Sequence, residues 1–247
     1  MSQQVRVAVF RPDDDRMRDA VELLDSLGAI AVPDPMLAVE PTDATPESAA
    51  YVVLTSKTGV ELLSEKGWDP GDATLVCIGP STAAVARDAG WTVDIVPEEY
   101  TSAGLVERLR GEVSGATVEV ARSDHGSDVL LDGLRDAGAD VHETVLYRLV
   151  RPEGTGQSAV MAAGGELEGV CFSSSLTVEN FLDAAEERGV RDEAVAGLNR
   201  IVVGVIGPPT RETAESHGID VDVVPDDADF EQLACAVVEA AAPTYHE

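Results

Sequence analysis

The chain has 247 residues, 44% of them hydrophobic, which is enough apolar surface for the core of one large domain or two small ones. Its 17 Lys and Arg stand against 46 Asp and Glu, giving a net charge of −29 that runs along the whole sequence rather than gathering in a tail. The clustered basic residues that phosphate contact requires are missing, so nucleic acid is excluded as an expected partner, and no apolar run reaches the ~18 residues of a membrane span.

The opening MSQQVRVAVF lacks the charged start and long apolar core of a signal peptide, so a soluble, cytoplasmic protein is expected; its VRVAVF run reads as a first strand. An amphipathic helix (MRDAVELLDSLG) follows, then YVVLTS as strand, GVELLSEKG as helix, TLVCIG as strand, AAVARDAG as helix and TVDIV as strand. The second half alternates in the same way: TVEVAR, SDVLLDGLRDAG, GVCFS, VENFLDAAEERG, RIVVGVIG and VDVV. Strands this apolar suit a parallel sheet covered on both faces. Gly28, Gly67, Gly90, Gly138 and Gly189 stand where a helix end favours a left-handed residue. The alternation predicts an α/β fold.

Two stretches are nearly the same sentence: LVCIGPSTAAVARDAGWTVDIVP from Leu75 and VVGVIGPPTRETAESHGIDVDVVP from Val202. Ile78 and Ile206, Thr82 and Thr210, Gly90 and Gly218, and Pro97 and Pro225 are all 128 residues apart. LTSKTGVELL from Leu54 matches FSSSLTVENFL from Phe172 at a shift of 118, and the stretch after the first strand loosely matches ARSDHGSDVLLDGLRDAGA. Duplication into two similar α/β units is the expected organisation.

In each unit a strand runs into a Ser/Thr-rich turn and then a helix, presenting free backbone N–H groups and a favourable helix dipole to an anion. Ser56, Ser174, Thr82 and Thr210 are the side chains at these turns; each could simply cap its own helix, but four equivalent turns in two copies would line opposite walls of a cleft if the units face each other. The connectors PTDATPES and RPEGTGQSAVMAAGG are rich in small residues. The second contains Gly154, Gly156 and Ala159 in a GxGxxA spacing, yet Arg151, Pro152 and Glu153 precede it, so a plain loop is expected rather than a nucleotide site. Cys77, Cys171 and Cys235 are odd in number and set in apolar runs, which suits buried thiols in a reducing compartment. His125, His142, His217 and His246 have no ligand spacing, and Asp13, Asp14 and Asp15 are ordinary first-turn acids, so no metal is assigned.

Acidity this even, with Lys57 and Lys66 the only lysines, is that of a halophilic, archaeal surface. At about 1 M salt the Debye length is only ~3 Å, which screens the self-repulsion. The protein is expected to unfold at low salt; a melting curve indifferent to KCl would count against this.

The sequence resembles the uroporphyrinogen-III synthase family over almost its whole length: Arg11-Pro12 after the first strand, LTSKTGVELL, CIGPSTAAVARDAG, VARSDHGSDVLLDGLRDAGADVHETVLYRLVRP, CFSSSLTVENFL and VIGPPTRETAESHG. The resemblance implies two flavodoxin- or Rossmann-like domains, residues 1–35 with 151–247 and residues 40–147, joined by a two-stranded antiparallel ladder near 36–41 and 143–152. It also implies a cofactor-free lyase, acting as a monomer, whose substrate is hydroxymethylbilane. That linear polycarboxylate tetrapyrrole is closed into a ring with inversion of ring D and loss of water.

The resemblance makes Tyr147, in VLYRLV, the group that donates a hydrogen bond or proton to the departing hydroxyl. Ser56, Thr82, Ser174 and Thr210 are expected to hold the substrate, and Arg11 and Arg122 to pair with its carboxylates. Pro209, Ser175-Leu176 and Lys57 depart from the family pattern beside these positions. A non-catalytic small-ligand-binding or regulatory protein of the same bilobed fold is the alternative, and a nicotinamide-dependent oxidoreductase rests only on the GxGxxA spacing.

Overall fold

The structure, a computed structural model, describes residues 5–242; His246 lies outside the described residues. The chain divides into two compact units, residues 1–38 with 150–247 and residues 39–149. The first unit opens with β1 (Arg6–Phe10), α1 (Asp15–Ser26) and β2 (Ile30–Pro33). It resumes with α6 (Gln157–Gly164), β8 (Gly169–Phe172), α7 (Ser175–Glu187), α8 (Arg191–Leu198), β9 (Val202–Val205), α9 (Pro208–Ser216) and α10 (Phe230–Ala241). The intervening chain holds β3 (Ala38–Pro41), β4 (Tyr51–Leu54), α2 (Lys57–Glu65), β5 (Thr74–Cys77), α3 (Pro80–Asp88), α4 (Ser102–Leu109), β6 (Thr117–Ser123), α5 (Asp128–Asp136) and β7 (Asp140–Val150).

One sheet has the order β2-β1-β8-β9 and the other β3-β7-β6-β4-β5, and the pairs from β2 to β9 and from β7 to β5 are parallel. If β1 and β2 are matched with β6 and β7, and β8 and β9 with β4 and β5, the two orders coincide, with β3 added outside β7. The repeat read in the sequence is thus a repeat of topology, and it extends to single hydrogen bonds. Asp94 accepts from the Leu75 N–H and Asp222 from the Val203 N–H, both at 2.8 Å, and each bond is the other moved by 128 residues. TVDIV and VDVV do not form full strands. Each adds one parallel bridge to the sheet edge, Val76 to Ile95 and Gly204 to Val223, because the Asp side chains take backbone donors a longer ladder would need.

Period-two alternation sends successive strand residues to opposite faces, and both faces of each sheet are covered. In the first unit Phe10, Phe172 and Phe181 pack on one side, with Phe10 and Phe172 rings stacked at 4.7 Å, while Val7, Val9 and Cys171 meet α1 and α10 on the other. In the second, Leu54, Leu75 and Ala121 face α2 and α3, and Val53, Val76 and Val120 face α4 and α5. Burial pushes the Cys77 thiol up to about 11 and the Cys171 thiol to about 12, so both remain protonated packing groups. The glycines after helices, Gly28, Gly67, Gly90, Gly138 and Gly189, all have positive φ. No helix among the described residues is long and apolar enough to cross a membrane.

One stretch differs from its expected form. The segment around the GxGxxA spacing is not a plain loop, because a helix, α6, begins at Gln157. No residue beside it supplies the cap: the carboxylate of Asp34, just past β2 and 5% exposed, accepts from the N–H groups of Gly156 and Ser158 and from the Ser158 hydroxyl. Helix α6 then packs so closely on α8 that a Cβ at Gly197 would lie 2.0 Å from the Ala162 carbonyl oxygen. Small residues here serve helix contact rather than flexibility.

Candidate active site

All strands of a parallel sheet end on the same side, so the turns after them gather the side chains that chemistry can use. In the second unit these are the exits of β6, β4 and β5. Tyr147 lies near the end of β7, next to β6, and its phenol donates to Ser56 Oγ at the exit of β4, at 3.0 Å. The order β7-β6-β4 means that the ring must cross β6 to do so.

A β-bulge makes this possible. Arg122 pairs with Val145, but the next residue, Ser123, pairs with Tyr147, leaving Leu146 as the extra residue. Without it Tyr147 would point to the opposite face from Leu146; with it both enter the same cluster beside α2. Gly59 completes the fit. A Cβ there would lie 3.0 Å from the Leu146 side chain and 3.1 Å from Ser56 Oγ.

Ser56 is also the N-cap of α2, accepting from the Gly59 N–H at 3.0 Å. Its oxygen therefore accepts two hydrogen bonds, and its own proton has no acceptor among the described residues. Tyr147 is 7% exposed, so the phenol and serine form a preset pair rather than two mobile groups.

Thr82 is not a cap. Gly79 holds that position in α3 without a side-chain bond, and Thr82 sits in the first turn, 3% exposed. Thr210 stands identically in α9 after Gly207, also 3% exposed. Neither hydroxyl has a hydrogen-bond partner among the described residues, yet no described side-chain N or O is buried without one. The little surface each threonine keeps thus includes its hydroxyl oxygen.

In the first unit Ser174 caps α7 in a reciprocal capping box with Thr177. Ser173 donates to the Phe10 carbonyl at 2.7 Å and Ser175 to the Pro209 carbonyl at 3.1 Å, which ties the exit of β8 to that of β1 and to the start of α9. Arg11 follows β1 with its guanidinium carbon 4.4 Å above the Phe230 ring. Burial lowers its pKa from the ordinary arginine value, helped by Arg16 and opposed by Asp14, Asp19 and Asp229. No hydrogen-bond acceptor engages it among the described residues, so its N–H edge is open.

Arg122 is different. It is 4% exposed, with Nε donating to Glu143 at 2.6 Å, Nη1 to the Ser127 carbonyl at 2.6 Å, and Nη2 3.7 Å from Asp128. Gly126 lies against this side chain, where a Cβ would come within 2.4 Å of Arg122 Cδ and 2.5 Å of Nη1. The Arg122 guanidinium is thus already engaged by Glu143, by the Ser127 carbonyl and by Asp128, the last two in the stretch after β6. Sequence reasoning named Tyr147 and Ser56 separately; Gly59, in the N3 position where the other copy has Thr177, was the signal that something bulky approaches this cap.

The family description "Uroporphyrinogen-III synthase HemD" matches residues 18–235. A protein of Methanothermobacter thermautotrophicus whose uroporphyrinogen-III synthase name is provisional is 37% identical over 232 residues, 86% of this chain and 90% of its own. The uroporphyrinogen-III synthase of Chlorobaculum parvum is 24% identical over 66% of this chain and 65% of its own. Among solved structures, a mutant uroporphyrinogen III synthase of Thermus thermophilus shares the fold with a TM-score of 0.67 at 20% identity, over 96% of each chain. The Helicobacter pylori enzyme does so with 0.62 at 15% identity, over 98% of this chain and 100% of its own. With a family match across most of its length and a relative above 30% identity, the chain belongs to the uroporphyrinogen-III synthase family, whose members are cyclising lyases of tetrapyrrole biosynthesis.

Proposed function

We propose that this protein closes hydroxymethylbilane to uroporphyrinogen III, inverting ring D and releasing water. The observation that carries the proposal is the bond between Tyr147 and Ser56 at a strand exit. It holds a phenol in a partly dry setting with its proton directed at an oxygen. When the hydroxyl of the substrate approaches, the phenol exchanges Ser56 for that oxygen and assists its departure as water. The ring carbon that forms the new bond later loses one proton, so the overall reaction needs no cofactor and no net acid.

Ser56, Thr82, Ser174 and Thr210 have hydroxyl protons without acceptors among the described residues, which suits them to donate to carboxylates. Arg11 adds an open guanidinium edge. Long-range attraction has the wrong sign for a polyanion on a chain of charge −29, so affinity has to come from these short-range donors, with salt screening the rest. Within each unit such donors orient the part of the substrate they hold, and orientation contributes several kcal/mol when it selects one closure over another, on the order of the gain seen in intramolecular reactions.

The test supplies enzymatically made hydroxymethylbilane at high KCl, oxidises the products and separates the uroporphyrin isomers. Isomer III is the expected product. Isomer I alone means spontaneous closure and removes the proposal in favour of a binding protein.

A further inference from the structure

The two copies of the Ile-Gly-Pro-x-Thr turn are not dressed alike. Gly79 and Gly207 are both extended, with φ of −164° and 177°, so neither position needs glycine for its backbone. A Cβ at Gly207 would meet nothing within 4 Å, whereas one at Gly79 would lie 3.4 Å from Cβ and Cγ of Tyr100 and 3.7 Å from its Cδ1. The ring thus lies in contact distance of the turn that ends β5 and starts α3. The repeat gives the counterpart. Thr101 and Asp229 are the N-caps of α4 and α10, 128 residues apart, so the residue matching Tyr100 is Ala228.

Tyr100 is 59% exposed, the most exposed of the large apolar side chains among the described residues, and its phenol has no partner there. It is nevertheless well held. The Thr101 N–H donates to the Glu99 carbonyl at 2.9 Å, Thr101 caps α4 through the Gly104 N–H at 3.0 Å, and a Cβ at Gly104 would lie 2.1 Å from the Glu99 carbonyl oxygen. A tight turn therefore presents an aromatic ring to solvent at the carboxyl end of the sheet, on the first turn of the helix that carries the free Thr82 hydroxyl.

We propose that Tyr100 is the aromatic surface on which the second unit takes up a pyrrole ring of the substrate. The inference rests on the tetrapyrrole reading above. A bilane offers four flat, electron-rich rings, and an exposed ring fixed by its backbone gives one of them an offset or edge contact at little entropic cost. The unit with Ala228 has no such surface at the matching position. The hydroxyl is not needed for this contact, whereas the ring is.

The experiment measures KM, kcat and the ratio of isomers III to I for wild type and for Y100F, Y100L and Y100A at fixed high KCl, with melting curves for each. Y100F is expected to match wild type. Y100L still covers Gly79 but is expected to raise KM about 3- to 10-fold with kcat nearly unchanged, and to let more substrate escape to isomer I. Y100A should do the same or more. Y100L and Y100A with wild-type KM and isomer ratio would overturn the inference, as would Y100F being as impaired as Y100L, which would assign the effect to the phenol. Absence of isomer III from wild type removes the underlying reading instead. If Y100A fails to fold, the comparison of Y100F with Y100L decides alone.

Discussion

Tyr147→Phe is expected to lower kcat about 100-fold or more, the usual contribution of a positioned proton donor, while leaving the protein folded. The separation between activity and stability follows from the geometry. The ring is packed in the cluster beside α2 and stays there in the variant, so the folded state loses one hydrogen bond, worth about 1 kcal/mol. Ser56→Ala removes the acceptor of that bond and the cap of α2 together, and is expected to cost about 1 kcal/mol of stability with a smaller fall in kcat. Because the two side chains act through one bond, their effects on kcat should be clearly less than additive in the double variant. Single-turnover formation of isomer III measures this, and undiminished turnover by Tyr147→Phe removes the assigned role.

What made this pair hard to read from sequence is the bulge. Strand alternation predicts that Leu146 and Tyr147 face opposite ways, and the eleven residues of β7 carry no glycine or proline to mark the interruption. Tyr147 entered as a candidate through family resemblance, and its distance from Ser56 could not be deduced from either motif. By contrast, the sheet grammar was legible because it depends on local pattern. Apolar runs of four or five residues, helices closed by glycine and a fixed 128-residue offset each reappear as parallel strands, positive φ and matched hydrogen bonds. The cap role foreseen for Ser56 and Ser174 is present, whereas Thr82 and Thr210 are in the first turn of their helices with glycine as cap. That distinction turned on Gly-Pro, since proline suits the first helical position and shifts the cap to the glycine before it. Tyr100 could have been found where the duplication fails, at an aromatic residue opposite alanine.

The misread segment after β7 carries the second large effect. Asp34→Ala is expected to destabilise the protein by about 3 kcal/mol, since three buried donors, the N–H groups of Gly156 and Ser158 and the Ser158 hydroxyl, lose their common acceptor. Water cannot readily replace it where Asp34 is 5% and Ser158 0% exposed. Asp34→Asn keeps one acceptor oxygen and should lose less than Asp34→Ala. The bonds run over more than 120 positions of sequence, which is why the GxGxxA spacing could be judged neither as a helix start nor as a phosphate cradle from its neighbours alone. In a dinucleotide site the helix N-terminus faces a pyrophosphate, and its charge satisfies those N–H groups. Here a carboxylate of the same chain already supplies the negative charge, so the N-terminus of α6 closes the first unit's fold instead of opening it to a ligand. Urea unfolding at high KCl checks the ranking of the two variants, and an Asp34→Ala protein within ~0.5 kcal/mol of wild type, the range of an ordinary surface substitution, would show that the cap is dispensable.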